Sequence, residues 1–152
     1  MTRSLIVALG ADHGGITLKD RLAAVMAAAG HQLLDFGTDG PASVDYPDFA
    51  HAVCGAVAAG QADLGILVCG TGIGMSIAAN RNPAIRCALV HDVTTARLTR
   101  AHNDANVLAL GARIIGEEVA LDILQTFLST PYEGGRHDRR LAKLNPSTEP
   151  AA

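Results

Sequence analysis

The stretch LGILVCGTGIGMSIAAN (Leu64–Asn80) runs from six apolar residues through three alternate glycines into a helix-forming sequence. One glycine would turn a strand into a helix; three in five residues mean that backbone approaches something closely. A dinucleotide fingerprint, G-x-G-x-x-G with an acid about 20 residues on, is one reading. Gly70 and Gly72 fit its first two places, and Asp92 stands at roughly the distance of the acid. The third place is Met75, with Gly74 one residue early, and no Gly-Lys-Ser/Thr follows. The other reading is chemical. Backbone N–H groups from Gly70 through Gly72 and Ile73 to Gly74, at a helix N-terminus, would receive an anion or a developing oxyanion. Such a place favours the ionised form of a thiol, and Cys69 and Thr71 lie in it. A cysteine at a strand end is also a common inert core residue, the reading that suits Cys54 and Cys87.

Outward from this stretch, strand-like and helix-like segments alternate. LIVALG (5–10) precedes a helical pattern over 16–29 with Leu18, Leu22, Val25, Met26 and Ala29 on one face. QLLDFG (32–37) precedes a Pro-containing loop and a helix with Phe49, Val53 and Val57 inward. The third strand is 64–69, the fourth IRCALVHD (85–92), the fifth NVLALG (106–111). A helix passes through Ala96 and Arg100, and a last one spans 117–128 with Val119, Ile123, Leu124 and Phe127 inward. Strands apolar on both faces and joined by helices predict an α/β fold. It is a three-layer α/β/α sandwich around a Rossmann-like five-stranded parallel sheet. Ligands of such sheets sit beyond the carboxyl ends of the strands.

With 152 residues, the chain suits one domain, read as 1–145 with a flexible tail over 146–152. Hydrophobic residues at 49% and charged residues at 18% fit a compact fold rather than a disordered chain. A net charge of −3 argues against nucleic acid or an anionic membrane as partner. Three cysteines without a C-x-x-C pair speak against a disulfide framework or a thiolate zinc site. The apolar run Leu5–Leu9 is too short for a signal or membrane segment, so the expected compartment is the cytoplasm.

ADHGG, DYPD, CGTGIGMSIAAN, HNDANVLALGAR and YEGGRHDRR, in this order and spacing, resemble the type B ribose-5-phosphate isomerases. That family includes isomerases of allose 6-phosphate and galactose 6-phosphate, and the resemblance covers about residues 5–144. It implies aldose–ketose isomerisation through a cis-enediol with neither metal nor cofactor. Cys69 matches the family's proton-shuttling thiol. One branch uses a Glu a few residues later, and Met75 there places this chain in the cysteine branch. Arg81 stands where a lysine is common, and Ile16 where an aromatic is common.

The resemblance also implies roles for the remaining residues. Thr71 would hydrogen-bond near the base, His102 would open the sugar ring, and Asn103 would bind a substrate oxygen. Asp12 resembles a substrate-hydroxyl ligand, though an Asp there commonly caps the following helix. His13 resembles a phosphate or ring-oxygen contact, and Tyr46 a pocket wall. Without the family, His102 and Asn103 would read as a turn with Asn103 capping. Arg113, Arg136 and Arg140 resemble a phosphate clamp, a task that suits guanidinium forks. Without the family, Arg136 and Arg140 would be a solvated helix end, while Arg113 in LALGARIIG would need an anion if buried. His137 and Arg139 have no assigned role. The implied assembly is a homodimer, with pairing into a tetramer as the alternative, and with His102 and Asn103 completing the partner's thiol pocket. The second and last helices offer apolar surface for it. A six-carbon sugar phosphate is the alternative substrate, and a non-catalytic phosphate- or nucleotide-binding module the alternative class.

Overall fold

A computed structural model describes residues 3–146. Elements follow in the order β1 (Ile6–Ala11), α1 (Ile16–Ala28), β2 (Gln32–Asp35), α2 (Tyr46–Ala58), β3 (Leu64–Cys69), α3 (Ile73–Ala79). Then come β4 (Cys87–Leu89), α4 (Val93–Asn103), β5 (Val107–Gly111), α5 (Glu117–Ser129), a 3-10 turn (Gly135–His137) and α6 (Asp138–Leu141). The five strands are parallel in the order β2-β1-β3-β5-β4.

Successive strand residues point to opposite faces, and both faces are covered. Val7, Leu9, Ile66, Val68, Leu108 and Leu110 pack with Leu22 and Met26 of α1 and with Ile123 and Phe127 of α5. Ala8, Leu67, Cys69, Val107 and Ala109 pack on the other side with Val53 and Cys54 of α2 and Met75 of α3. The sheet is therefore the middle of a three-layer α/β/α sandwich, as the unbroken apolar strands predict.

Several local expectations change. The fourth strand shrinks from 85–92 to Cys87–Leu89, because at the sheet edge it has one neighbour and soon turns outward. Asp92, the acid of the dinucleotide reading, instead caps α4 and accepts the Thr95 N–H at 2.7 Å. Val119 is 41% exposed, and Ala120 takes its inward place in α5. Ala29, just past α1, is exposed, and Lys19 of α1 is buried with only 3% exposure. Its Nζ reaches both oxygens of Asp35, at 2.8 and 2.6 Å, which is how a lysine enters an apolar helix face.

From β1 the chain goes to β2 on one side and then returns to β3 on the other. In open sheets of this kind ligands bind outside the carboxyl ends of the strands at such a switch point, and the glycine stretch follows β3 there.

Candidate active site

Cys69 ends β3, opposite Gly111 of β5, and is 5% exposed. Its Sγ accepts the Gly72 N–H at 3.1 Å, so the loop folds back over the sulfur. Gly72 has φ +76°, and a Cβ there would stand 2.6 Å from Leu89 Cδ1 and 2.9 Å from the Leu110 carbonyl carbon. Only glycine meets both demands. Thr71 is exposed, and its Oγ1 accepts the Ile73 N–H at 3.2 Å. Among the described residues, the N–H groups of Gly70, Thr71 and Gly74 meet no acceptor. Free backbone donors at a strand end are what an oxyanion needs.

Four further residues surround this loop. Asp12, 8% exposed, follows β1, and its Oδ1 accepts the N–H groups of Gly14 (2.9 Å) and Gly15 (3.1 Å). It therefore shapes the turn ahead of α1, whose own cap residue is Gly15. His13 is exposed, and its Nδ1 accepts the Val44 N–H at 3.2 Å. In the neutral ring the proton then sits on Nε2, which is left to donate outward. Tyr46 opens α2 and lies against Gly74, where a Cβ would come 2.5 Å from its Cζ. Arg113 crosses Gly70, with Nε and Cζ 3.6 Å from the position of a Cβ there, and its N–H bonds the Gly70 carbonyl at 2.9 Å. The arginine is exposed rather than buried, so its sequence context does not oblige it to hold an anion.

The other expected residues gather elsewhere. His102 and Asn103 end α4, and the left-handed residue after them, Asp104 (φ 44°), is the cap in place of Asn103. α4 returns antiparallel to the strands for 11 residues, about 16 Å at 1.5 Å per residue. His102 thus lies at the amino-terminal edge of the sheet, and Cys69 at the carboxyl edge. The Glu133 N–H bonds the Ala101 carbonyl at 3.0 Å and ties the last segment to the same edge. Arg136 and Arg140, both exposed, stand there on the 3-10 turn and α6 rather than on one continuous helix. The three expected clamp arginines are therefore split, with Arg113 at the thiol and the other two beside His102.

At the second edge, sequence reasoning overlooked Glu133 and left His137 without a role. The rings of His102 and His137 stack at 4.5 Å and 17°. Glu133 Oε2 lies 3.8 Å from His102 Nε2 and 3.6 Å from His137 Nε2. Ligand atoms of this trio all fall within 4.8 Å of one another, close enough to raise the question of a metal. Nitrogen lone pairs lie in the ring planes, however, and in near-parallel stacked rings they run side by side without converging on one ion. A carboxylate shared by two imidazoles describes the trio better. Glu133 sits inside the quoted motif YEGGRHDRR, but no spacing rule connects it to a histidine 31 residues earlier.

Residues 7–144 match the ribose/galactose isomerase family. The chain belongs to that family. It is an isomerase similar to ribose-5-phosphate isomerase B of Escherichia coli, with 45% identity over 138 residues, 91% of this chain and 93% of that one. Among solved structures it resembles a ribose 5-phosphate isomerase from Thermotoga maritima, with 48% identity and a TM-score of 0.91. That match covers 93% of this chain and 97% of the other. Ribose-5-phosphate isomerase B of Mycoplasma genitalium, solved with bound ribulose-5-phosphate, is 39% identical with a TM-score of 0.88, covering 91% and 92% of the two chains. Among the described residues, no helix of this family member is long and apolar enough to cross a membrane.

Proposed function

We propose that the protein interconverts ribose 5-phosphate and ribulose 5-phosphate through a cis-enediolate, with Cys69 as the base and no metal ion. The observation that carries this reading is the Cys69 sulfur beside a loop whose N–H groups at Gly70, Thr71 and Gly74 are free to donate. The relatives from E. coli and M. genitalium, a ribose-5-phosphate isomerase B in each case, support the same substrate.

The chemistry follows from the parts. His102 moves a proton from the anomeric hydroxyl to the ring oxygen, which opens the ring to an aldehyde. The Cys69 thiolate then takes the proton from C2, and the loop N–H groups hold the charge that develops on O1. Thr71, the exposed hydroxyl beside the thiol, helps move the proton from O2 to O1. Cys69 returns its proton to C1, leaving the ketose. Asp12 Oδ2 accepts from a substrate hydroxyl, Asn103 binds an enediolate oxygen, and Tyr46 walls the pocket. His13 donates from Nε2 to the phosphate, beside Arg113, Arg136 and Arg140.

These roles need both edges of the sheet in one pocket, and a homodimer supplies them. Each subunit brings its Cys69 edge to its partner's His102 edge, and dimers could pair further into tetramers. The exposed faces that support such docking are Ile73 (52%) and Ile77 (53%), one turn apart on α3, and Ile114 (53%) after β5. The second helix and α5 turn most of their apolar residues into the chain's own core, leaving Tyr46 (39%) and Val119 (41%) exposed. We place the enzyme in the cytoplasm.

Turnover of ribose 5-phosphate, allose 6-phosphate and galactose 6-phosphate, measured side by side, tests the reading. The highest kcat/KM is expected for ribose 5-phosphate. A six-carbon sugar in first place would overturn the substrate, and no turnover on any would favour a binding module.

A further inference from the structure

Resting on the isomerase reading above, we propose that Glu133 is a positioning residue for His102. Its carboxylate, set beside two stacked imidazoles, aims the His102 ring at the sugar and meets the positive charge that the ring carries during ring opening.

Three segments build this arrangement: the end of α4, the loop before the 3-10 turn, and the turn itself. Glu133 is held by its own N–H on the Ala101 carbonyl, one residue before His102. His137 is 8% exposed, and its Nε2 is buried without a hydrogen-bond partner, turned toward Glu133 at 3.6 Å. His102 is the more open of the two, its side chain 34% exposed, and so the one that can touch a sugar. His137 backs it, with ring centroids 4.5 Å apart. Two imidazolium ions at that separation repel, whereas one carboxylate balances one charge. Glu133 is thus placed to balance one positive charge on the pair.

Ring opening uses that property. Neutral His102 takes the proton of the anomeric hydroxyl and becomes imidazolium, facing Glu133. The bond from C1 to the ring oxygen breaks, its electron pair stays on that oxygen, and the C1 carbonyl forms. The imidazolium then gives the proton to the ring oxygen and returns to its starting state. The other charged groups of these segments are engaged or exposed. Arg100 turns to Asp104 Oδ1 (3.2 Å) and the Ala105 carbonyl, and Asp138 accepts from the Tyr132 hydroxyl at 2.7 Å. Arg136 on the turn and Arg139 and Arg140 on α6 are exposed cations, whose repulsion the carboxylate offsets.

The test compares wild type, Glu133→Gln and Glu133→Asp as intact protein, following each imidazole by NMR across pH and measuring turnover of ribose 5-phosphate. In Glu133→Gln the midpoints of His102 and His137 should both fall, by about half a pH unit or more, because the charged rings lose their counter-ion. The exposed His91 should not move. kcat should drop about tenfold with KM within about twofold, and Glu133→Asp should recover part of both changes. Unmoved midpoints, even with lower kcat, would reduce Glu133 to a structural residue and overturn the proposal. So would a kcat within about twofold of wild type. A wild-type protein inactive on ribose 5-phosphate would sink the isomerase reading alone, since the titration needs no turnover.

Discussion

Three cysteines occupy this chain, and their surroundings give them different chemistry. Burial pushes the Cys54 thiol up to about 11 and the Cys87 thiol higher still, so both stay protonated at neutral pH. Neither has a place in proton transfer. Cys69 differs in geometry: its sulfur accepts a backbone N–H that strengthens its hold when the sulfur is charged. Cys69→Ala should lower kcat by about a thousandfold or more while ribose 5-phosphate still binds. The fold should lose no more than about 1 kcal/mol, the ordinary scale of a small core truncation. Steady-state kinetics, calorimetric titration with substrate and thermal melting check the three parts. A kcat within tenfold of wild type would remove Cys69 from the mechanism.

At the scale of elements, a lysine decides how α1 seats. The apolar periodicity of 16–29 was sufficient to predict the helix, but it gave no sign that Lys19 is buried. Burial alone would pull its pKa down, yet hydrogen bonds and charge from Asp35 and Asp20 outweigh that, and the ammonium is held above its ordinary range. With the folded value raised, this stabilisation is present at neutral pH and is lost only as pH climbs past the ordinary lysine range. Asp35→Asn should leave a buried ammonium with a weaker partner and cost about 2–4 kcal/mol, less than for a fully buried pair because Asp35 is 42% exposed. Urea denaturation at neutral pH reads this directly, and a change below about 0.5 kcal/mol would mean that Lys19 finds another partner. Boundaries failed where an element has one neighbour. β4 is half-exposed and three residues long, so apolar composition overstated it.

For the whole molecule, the decisive feature is the distance between the two edges of the sheet. Gly111, the register partner of Cys69, is four residues along β5 from Val107, about 13 Å at 3.3 Å per residue. His102 precedes that strand, so the proposed mechanism requires two subunits to share each site. Subunits carrying Cys69→Ala and subunits carrying His102→Asn should each be nearly inactive. Refolded together in equal amounts, they should regain about a quarter of wild-type activity, since half the dimers are mixed and each mixed dimer holds one intact site. No recovery, with mixed dimers demonstrated by mass spectrometry, would place both residues in the same subunit's site.

The sequence by itself determined the layer architecture, because unbroken apolar strands separated by amphipathic helices have few other ways to bury their surface. It also located the thiol loop, since three alternate glycines after a strand leave a chemical trace in composition. Tertiary structure alone decided what those residues face. Register and strand order set Tyr46 against Gly74, laid an exposed Arg113 over Gly70, and divided the expected site between two edges. The Glu133–His102–His137 stack arises where the chain's last segment is tied back to α4. Contacts between residues 31 apart depend on how helices and strands pack, and local pattern carries no record of that.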